Sequence, residues 1–327
     1  MSRIGALVKA GAFFCAARGP RLRGGAFALV TWGALPGLAQ AEALAFPVDC
    51  TLGETCFIQH YVDRDPGAGV QDYGCGSLSY DGHDGTDIAI ANRAEMARGV
   101  TVTAALPGVV KGIRDGVPDA APFPEGQDCG NGVLIESALG QEQYCHLREG
   151  SVLVQKGQVV ETGTPLGLIG QSGNADFPHL HLTLRRGGKP IDPFSQAATC
   201  GPAEALWADP LPYVPAGLVQ AGIADAIPDY EAVKAGALPG PRAHAGALVI
   251  WGEVFGARPG DVLTFDLQGP EGAVYQGEAV LEKPQARAFR AQGRKIDAAP
   301  GDYRGTVTLT REGVELDRIS VEARVTD

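Results

Sequence analysis

Six histidines occur in this chain of 327 residues: His60, His83, His146, His179, His181 and His244. Two stand in His179-Leu180-His181, inside HLHLTLRR, where apolar and polar residues alternate as in a half-buried strand. Side chains alternate along a strand, so these two imidazoles share one face. His83 lies in GHDGTD, four residues before Asp87. Gly82 and Gly85 allow that segment to fold so that His83 and Asp87 converge. Two His and one Asp give three ligands of the N and O type that suits zinc. A fourth position then stays open for water, the mark of a catalytic rather than a structural site. His146, in EQYCHL, adds a third strand histidine. An isolated HxH or HxxxD is common by chance. Their joint presence with His146, within a Gly-rich β pattern, is not. No HExxH occurs, which excludes a metalloprotease built on that helix. His60, in FIQHYVDRD, has no partner motif and reads as a surface or packing residue. Asp63 and Asp65 beside it lack the other ligands of an EF-hand loop. His244 lies in a Pro/Gly stretch and receives no role. Asn174 and Asp176, just before the HLH strand, suit a turn or the shaping of a groove.

The elements that must carry these residues are short β-runs broken by Gly. Between Phe46 and about Phe194 they include VTVTAALPGVVKGI, GVLIES, EQYCHL and HLHLTLRR, with ESALGQEQ as a hairpin loop and NRAEMARG as one or two helical turns. Residues 201–245, rich in Pro, Ala and Gly, read as a linker with little regular structure. Strands resume in ALVIWGEVF, DVLTFDLQG, AVYQGEAVL, YRGTVTLTR and RISVEARV, separated by turn signals such as RPGD and APGD. That spacing predicts a small immunoglobulin-like β-sandwich over 246–327. Trp251 and Phe255 fall on one face of their strand and suit core packing. The fold class expected is all-β, with an antiparallel β-sheet domain over 42–200. At roughly 150 residues per domain, the length also favours two domains.

The first 41 residues read as a signal peptide. They carry Arg3, Lys9, Arg18, Arg21 and Arg23 and no acid, then the apolar stretch Gly24 to Leu38, then Ala39-Gln40-Ala41. The apolar stretch is short for a membrane span, which needs about 20 residues. Cleavage after Ala41 would remove Cys15 and leave Cys50, Cys56, Cys75, Cys129, Cys145 and Cys200. An even number in an exported chain reads as disulfides in an oxidising compartment, with the pairing left open. No C-x-x-C pair is present to suggest a Cys-ligated zinc. A net charge of −11 argues against nucleic acid as a partner, and loss of five basic residues strengthens that.

Three segments, GHDGTDIAI, YCHL and GNADFPHLHLTL, resemble the LytM-type, lysostaphin-like family of zinc metalloendopeptidases that cut peptidoglycan cross-links. The likeness runs from about Tyr80 to Pro193, through VTAALPGVVKGI, GNGVLIES, VLVQKGQVVETGTPLGLIGQSG and KPIDP in the family's order. It implies a scaffold of antiparallel sheets with zinc in a groove. Carried over by position, it implies His83, Asp87 and His181 as ligands of one zinc per chain. It implies His146 and His179 as the non-ligand pair that handles protons and polarises the scissile carbonyl. Cys145 departs from the family pattern, where a small residue is commoner; a disulfide there could fix the loop bearing His146 or restrict the groove. The implied activity is an exported, periplasmic or secreted endopeptidase acting on peptidoglycan stem peptides, with no stable membrane span after signal cleavage. The alternatives are a non-catalytic wall-binding regulator of amidases and a zinc peptidase with a protein substrate. A protein partner for the C-terminal domain is compatible with the sequence.

Overall fold

The computed structural model describes residues 43–119 and 122–326, so the expected signal peptide lies outside the described residues. The first half contains β1 (Phe57–His60), β2 (Thr86–Ala89), α1 (Arg93–Arg98), β3 (Thr101–Thr103), β4 (Gly108–Arg114) and β5 (Asn131–Ser137). It continues with β6 (Gly140–Leu147), β7 (Val159–Val160), β8 (Pro165–Leu168), β9 (His179–Arg186) and β10 (Lys189–Ile191). The second half contains β11 (Gly217–Ala224), α2 (Tyr230–Ala235), β12 (Leu248–Ala257), β13 (Val262–Gly269), β14 (Gly272–Val280), β15 (Gln285–Arg294), β16 (Gly301–Arg311) and β17 (Val314–Val325). The chain is all-β, and its named sheets are antiparallel.

One large sheet in the order β1-β2-β9-β6-β5-β4-β7, with β10 beside β9, carries the histidine motifs. The expected hairpin closes between Ser137 and Gly140, and NRAEMARG forms the short α1, capped by the Asn92 side chain. The register of the sheet decides what meets what. Across β1 and β2, His60 stands opposite Asp87. Across β2 and β9, Asp87 stands opposite His181. Across β9 and β6, His181 stands opposite Cys145. Paired residues share a face, so four strands present one row of functional side chains. The alternate residues Ile88, Leu180 and Leu182 are buried in the hydrophobic core. Each such side chain contributes about 1.5 to 3 kcal/mol by leaving water, and that burial fixes the register.

The second half is a two-sheet sandwich. β11-β12-β15 form one sheet and β14-β13-β16-β17 the other. Leu218, Ile250 and Val254 from the first meet Leu263, Phe265, Val307 and Leu309 from the second in one core. VLTFDLQG alternates as expected, with Leu263, Phe265 and Leu267 fully buried. Trp251 and Phe255 are packed, Phe255 stacking on Phe57 with ring centroids 4.6 Å apart. The stretch expected as a linker differs. It holds β11, paired with β12 from Gly217–Phe255 to Ala224–Val249, and α2, capped by Asp229 and Gly236. The Ala and Gly of GLVQAGIA hide the strand locally; pairing with β12 makes it one.

All six described cysteines pair: Cys50–Cys56, Cys75–Cys200 and Cys129–Cys145. The second bridge closes 125 residues, a constraint on the unfolded chain of about 4 to 5 kcal/mol. Among the described residues no helix is long and apolar enough to cross a membrane.

Candidate metal centre

Asp87 on β2 and His181 on β9 are brought together by their register. His83 joins them from the preceding loop, where Gly82 takes φ +75° and donates its N–H to Asp63. Gly85 is needed for the close approach: a Cβ there would lie 2.6 Å from His181 Nε2 and 2.8 Å from the Leu182 carbonyl oxygen. The result is three inward atoms in mutual reach. His83 Nε2 lies 3.2 Å from Asp87 Oδ1 and 3.1 Å from His181 Nδ1, and His181 Nδ1 lies 2.9 Å from Asp87 Oδ1.

Each of these side chains has its other polar atom held elsewhere. His83 Nδ1 donates to the Tyr61 carbonyl at 2.7 Å. A carbonyl can only accept, so the proton of the neutral ring is on Nδ1 and Nε2 keeps a lone pair. His181 Nε2 faces Thr183 Oγ1 at 2.9 Å and Asp84 Oδ1 at 3.3 Å, which leaves Nδ1 inward. Asp87 Oδ2 accepts from His60 Nδ1 at 2.9 Å, which leaves Oδ1 inward. Three electron-rich atoms thus converge in a buried place that calls for a positive charge. The protonation balance says the same. Burial pulls the His181 imidazole down, but hydrogen bonds to Asp84 and Asp87 outweigh it and push it up to about 9. Burial also works against the Asp87 carboxylate, yet His83, His179, His181 and His60 hold it well below the usual range. A divalent cation meets that demand better than a single proton, because all three atoms can bind it at once.

His146 and His179 flank this centre. Their Nδ1 atoms donate to the Ser172 and Phe177 carbonyls, both at 2.8 Å, so the neutral rings keep their lone pairs on Nε2. The two rings lie 4.6 Å apart by centroid, and His179 Nε2 lies 3.5 Å from Asp87 Oδ1. Burial holds the two imidazoles down, at about 3 for His146 and about 4 for His179, so both are neutral near pH 7. In a regular strand Cys145 and His146 would point to opposite faces, yet both line one cavity. The β5–β6 register slips just here, between Asn131 and Val133, and His146 takes φ +62°. That bulge turns its ring back towards His181. The His146 N–H donates to the Cys129 carbonyl at 2.8 Å, and Cys129 is bridged to Cys145, so the disulfide pins the bulge.

Two adjoining cavities of about 270 and 630 Å³ meet at the centre and share Tyr80, His146 and Asn174. Asp176 lines the larger and Arg185 the smaller. Arg185 donates to Asp84 at 2.7 Å and to Gln143 at 2.6 Å, and the Asp84 carboxyl is held down at about 2, first by His181.

All five motif residues therefore come together. Of the two other histidines, His244 lies outside both cavities. His60 differs from its sequence reading: it is buried and hydrogen-bonded to Asp87. An unpaired polar residue within the apolar run FIQHYV was the signal that could have found it. Asp84, inside GHDGTD, was also passed over.

Residues 81–193 match the model of peptidase family M23. Over 118 residues the chain is 33% identical to the DD-carboxypeptidase/endopeptidase Mpg of Neisseria meningitidis, covering 35% of this chain and 23% of that protein. Over 111 residues it is 34% identical to the peptidoglycan DD-endopeptidase ShyA of Vibrio cholerae, covering 34% and 22%. The chain thus spans less than a quarter of the length of these curated relatives. The catalytic domain of lysostaphin from Staphylococcus simulans aligns with 41% of this chain and 85% of its own length, at 19% identity and a TM-score of 0.27. Residues 81–193 of the chain are thus similar to peptidase family M23.

Proposed function

We propose that this chain is an exported zinc endopeptidase that hydrolyses peptide bonds in peptidoglycan cross-links. The observation that carries the reading is the set of three inward atoms, each with its outer atom already engaged. His83 Nε2, Asp87 Oδ1 and His181 Nδ1 would hold one zinc, and His60 and Asp84 would orient the ligands as outer partners. Bound there, zinc would polarise the substrate carbonyl and acidify a water. The proton work falls to His146 and His179. Both are neutral and anchored through Nδ1, so either can accept the proton of the attacking water at Nε2 and pass that same proton to the leaving amine. The cavities on either side give room for an extended peptide.

The Mpg and ShyA matches support a peptidoglycan substrate. Three disulfides and the N-terminal sequence support export to a periplasm or beyond. The catalytic unit would span 42–200. The complete set of five residues weighs against a non-catalytic regulator. The test is mass spectrometry of muropeptides released from a cross-linked wall, with metal analysis of the same sample. The wild-type protein should release products and carry about one zinc per chain, and His181→Ala should do neither. Undiminished release by His181→Ala would overturn the reading.

A further inference from the structure

Four C-terminal residues, Tyr230, Lys234, Ala286 and Arg287, line the larger cavity, and the Arg287 side chain donates hydrogen bonds to the catalytic sheet and the segment after it. Arg287, on β15, stands opposite Phe255 and extends onto the catalytic sheet. Its Nε donates to Gln59 Oε1 at 3.1 Å, Nη1 to the Ala91 carbonyl at 3.3 Å, and Nη2 to the Ile90 carbonyl at 3.5 Å. Its Cζ lies 4.5 Å from the centre of the Phe177 ring and 5.3 Å from that of Phe57. The side chain is only 9% exposed. All of these partners but Phe57 adjoin a site residue. Gln59 precedes His60. Ile90 and Ala91 follow the strand that carries Asp87. Phe177 gives its carbonyl to His179 and lays its ring 4.5 Å from the imidazole.

A buried guanidinium is a costly way to join two units. An apolar seam would serve as well, so its donors call for an explanation. Its counter-charge, Glu253 Oε1, is 3.7 Å away and fully buried, and Glu253 itself accepts from Gln220 and Tyr230 at 2.7 Å. The fork is therefore held from behind by the sandwich and directed forward at the segments around the site. The neighbouring Ala286 carbonyl accepts from Gln59 at 2.9 Å, and Ala286 and Arg287 line the same cavity as His146 and His179.

We propose that Arg287 is a positioning residue for His179, acting through Phe177, and that the sandwich is thereby a working wall of the cleft rather than an appended module. This rests on the reading of His179 as a proton-handling group. The test uses the whole mature chain in three variants: Arg287→Met, Arg287→Lys, and Arg287→Met with Glu253→Gln, the last leaving no unpaired buried charge. Five quantities are read: kcat and KM on a purified cross-linked muropeptide dimer, zinc content, thermal midpoint, and the histidine ring N–H resonances of the metal-free protein. Arg287→Met and the double variant should keep zinc and the His83 ring signal. They should broaden the His179 signal and lower kcat by about 10-fold with KM within about twofold, as a small misplacement does. Arg287→Lys keeps a cation over the Phe177 ring and should stay within about threefold of wild type. A folded double variant with wild-type kcat and an intact His179 signal overturns the proposal. So does loss of zinc and every ring signal together, which would make Arg287 a structural strut only. If wild-type protein releases no product, the proposed activity fails, and the His179 ring signal alone then decides the role of Arg287.

Discussion

The histidine-bearing sheet and the C-terminal sandwich are both antiparallel, yet they handle buried charge in opposite ways. In the sandwich each buried carboxylate is matched. Arg311 grips both oxygens of Asp261 at 2.7 and 2.8 Å, and Glu253 has Gln220, Tyr230 and Arg287. In the histidine-bearing sheet one carboxylate, Asp87, faces the rings of His60, His83, His179 and His181, and two ring lone pairs point at the same place as its Oδ1. Buried polar groups are ordinarily satisfied, so an excess of acceptors marks where a ligand belongs. The sandwich shows what this chain does when a buried charge serves structure alone.

Three substitutions break or sharpen that contrast. Asp87→Asn removes the shared carboxylate and should lower kcat by about a thousandfold or more, with zinc falling to background in metal analysis. A variant that keeps zinc would remove Asp87 from the ligand set. Phe265→Ala, in the sandwich core, should cost about 3 to 5 kcal/mol in denaturant unfolding. Its zinc content should nevertheless stay at wild-type level, because Phe265 is fully buried among apolar neighbours. Zinc loss in a still-folded variant would merge the two regions into one. His60→Gln should weaken zinc binding by about 10- to 100-fold in competition with a chelator, as loss of an outer-shell partner does. An unchanged affinity would return His60 to a packing role.

The site was legible in the sequence wherever it depends on short spacing. HLH reads directly, because a strand repeats every two residues. His83 and Asp87 are four apart with glycines to bend the chain. His60 was only half legible: a polar residue in the apolar run FIQHYV marks it, but its partner Asp87 is reached through the β1–β2 register, which no local pattern announces. The turn of His146 depends on a bulge and a disulfide partner 16 residues away. β11 was concealed by Ala and Gly, and its identity as a strand comes from β12. Arg287 is the extreme case, lying 228 residues from the Gln59 it contacts. The sandwich strands of the last 80 or so residues were readable from alternation and turns. Their contact with the site was not, because periodicity reports which face is buried and says nothing of what buries it.

The most direct measurement is anomalous diffraction at the zinc edge from crystals of the purified mature protein. The account predicts one peak about 2.0 to 2.2 Å from His83 Nε2, Asp87 Oδ1 and His181 Nδ1, with no protein ligand from His146 or His179. A peak bound by His146 or His179, or none in protein that cleaves the muropeptide dimer, would contradict it.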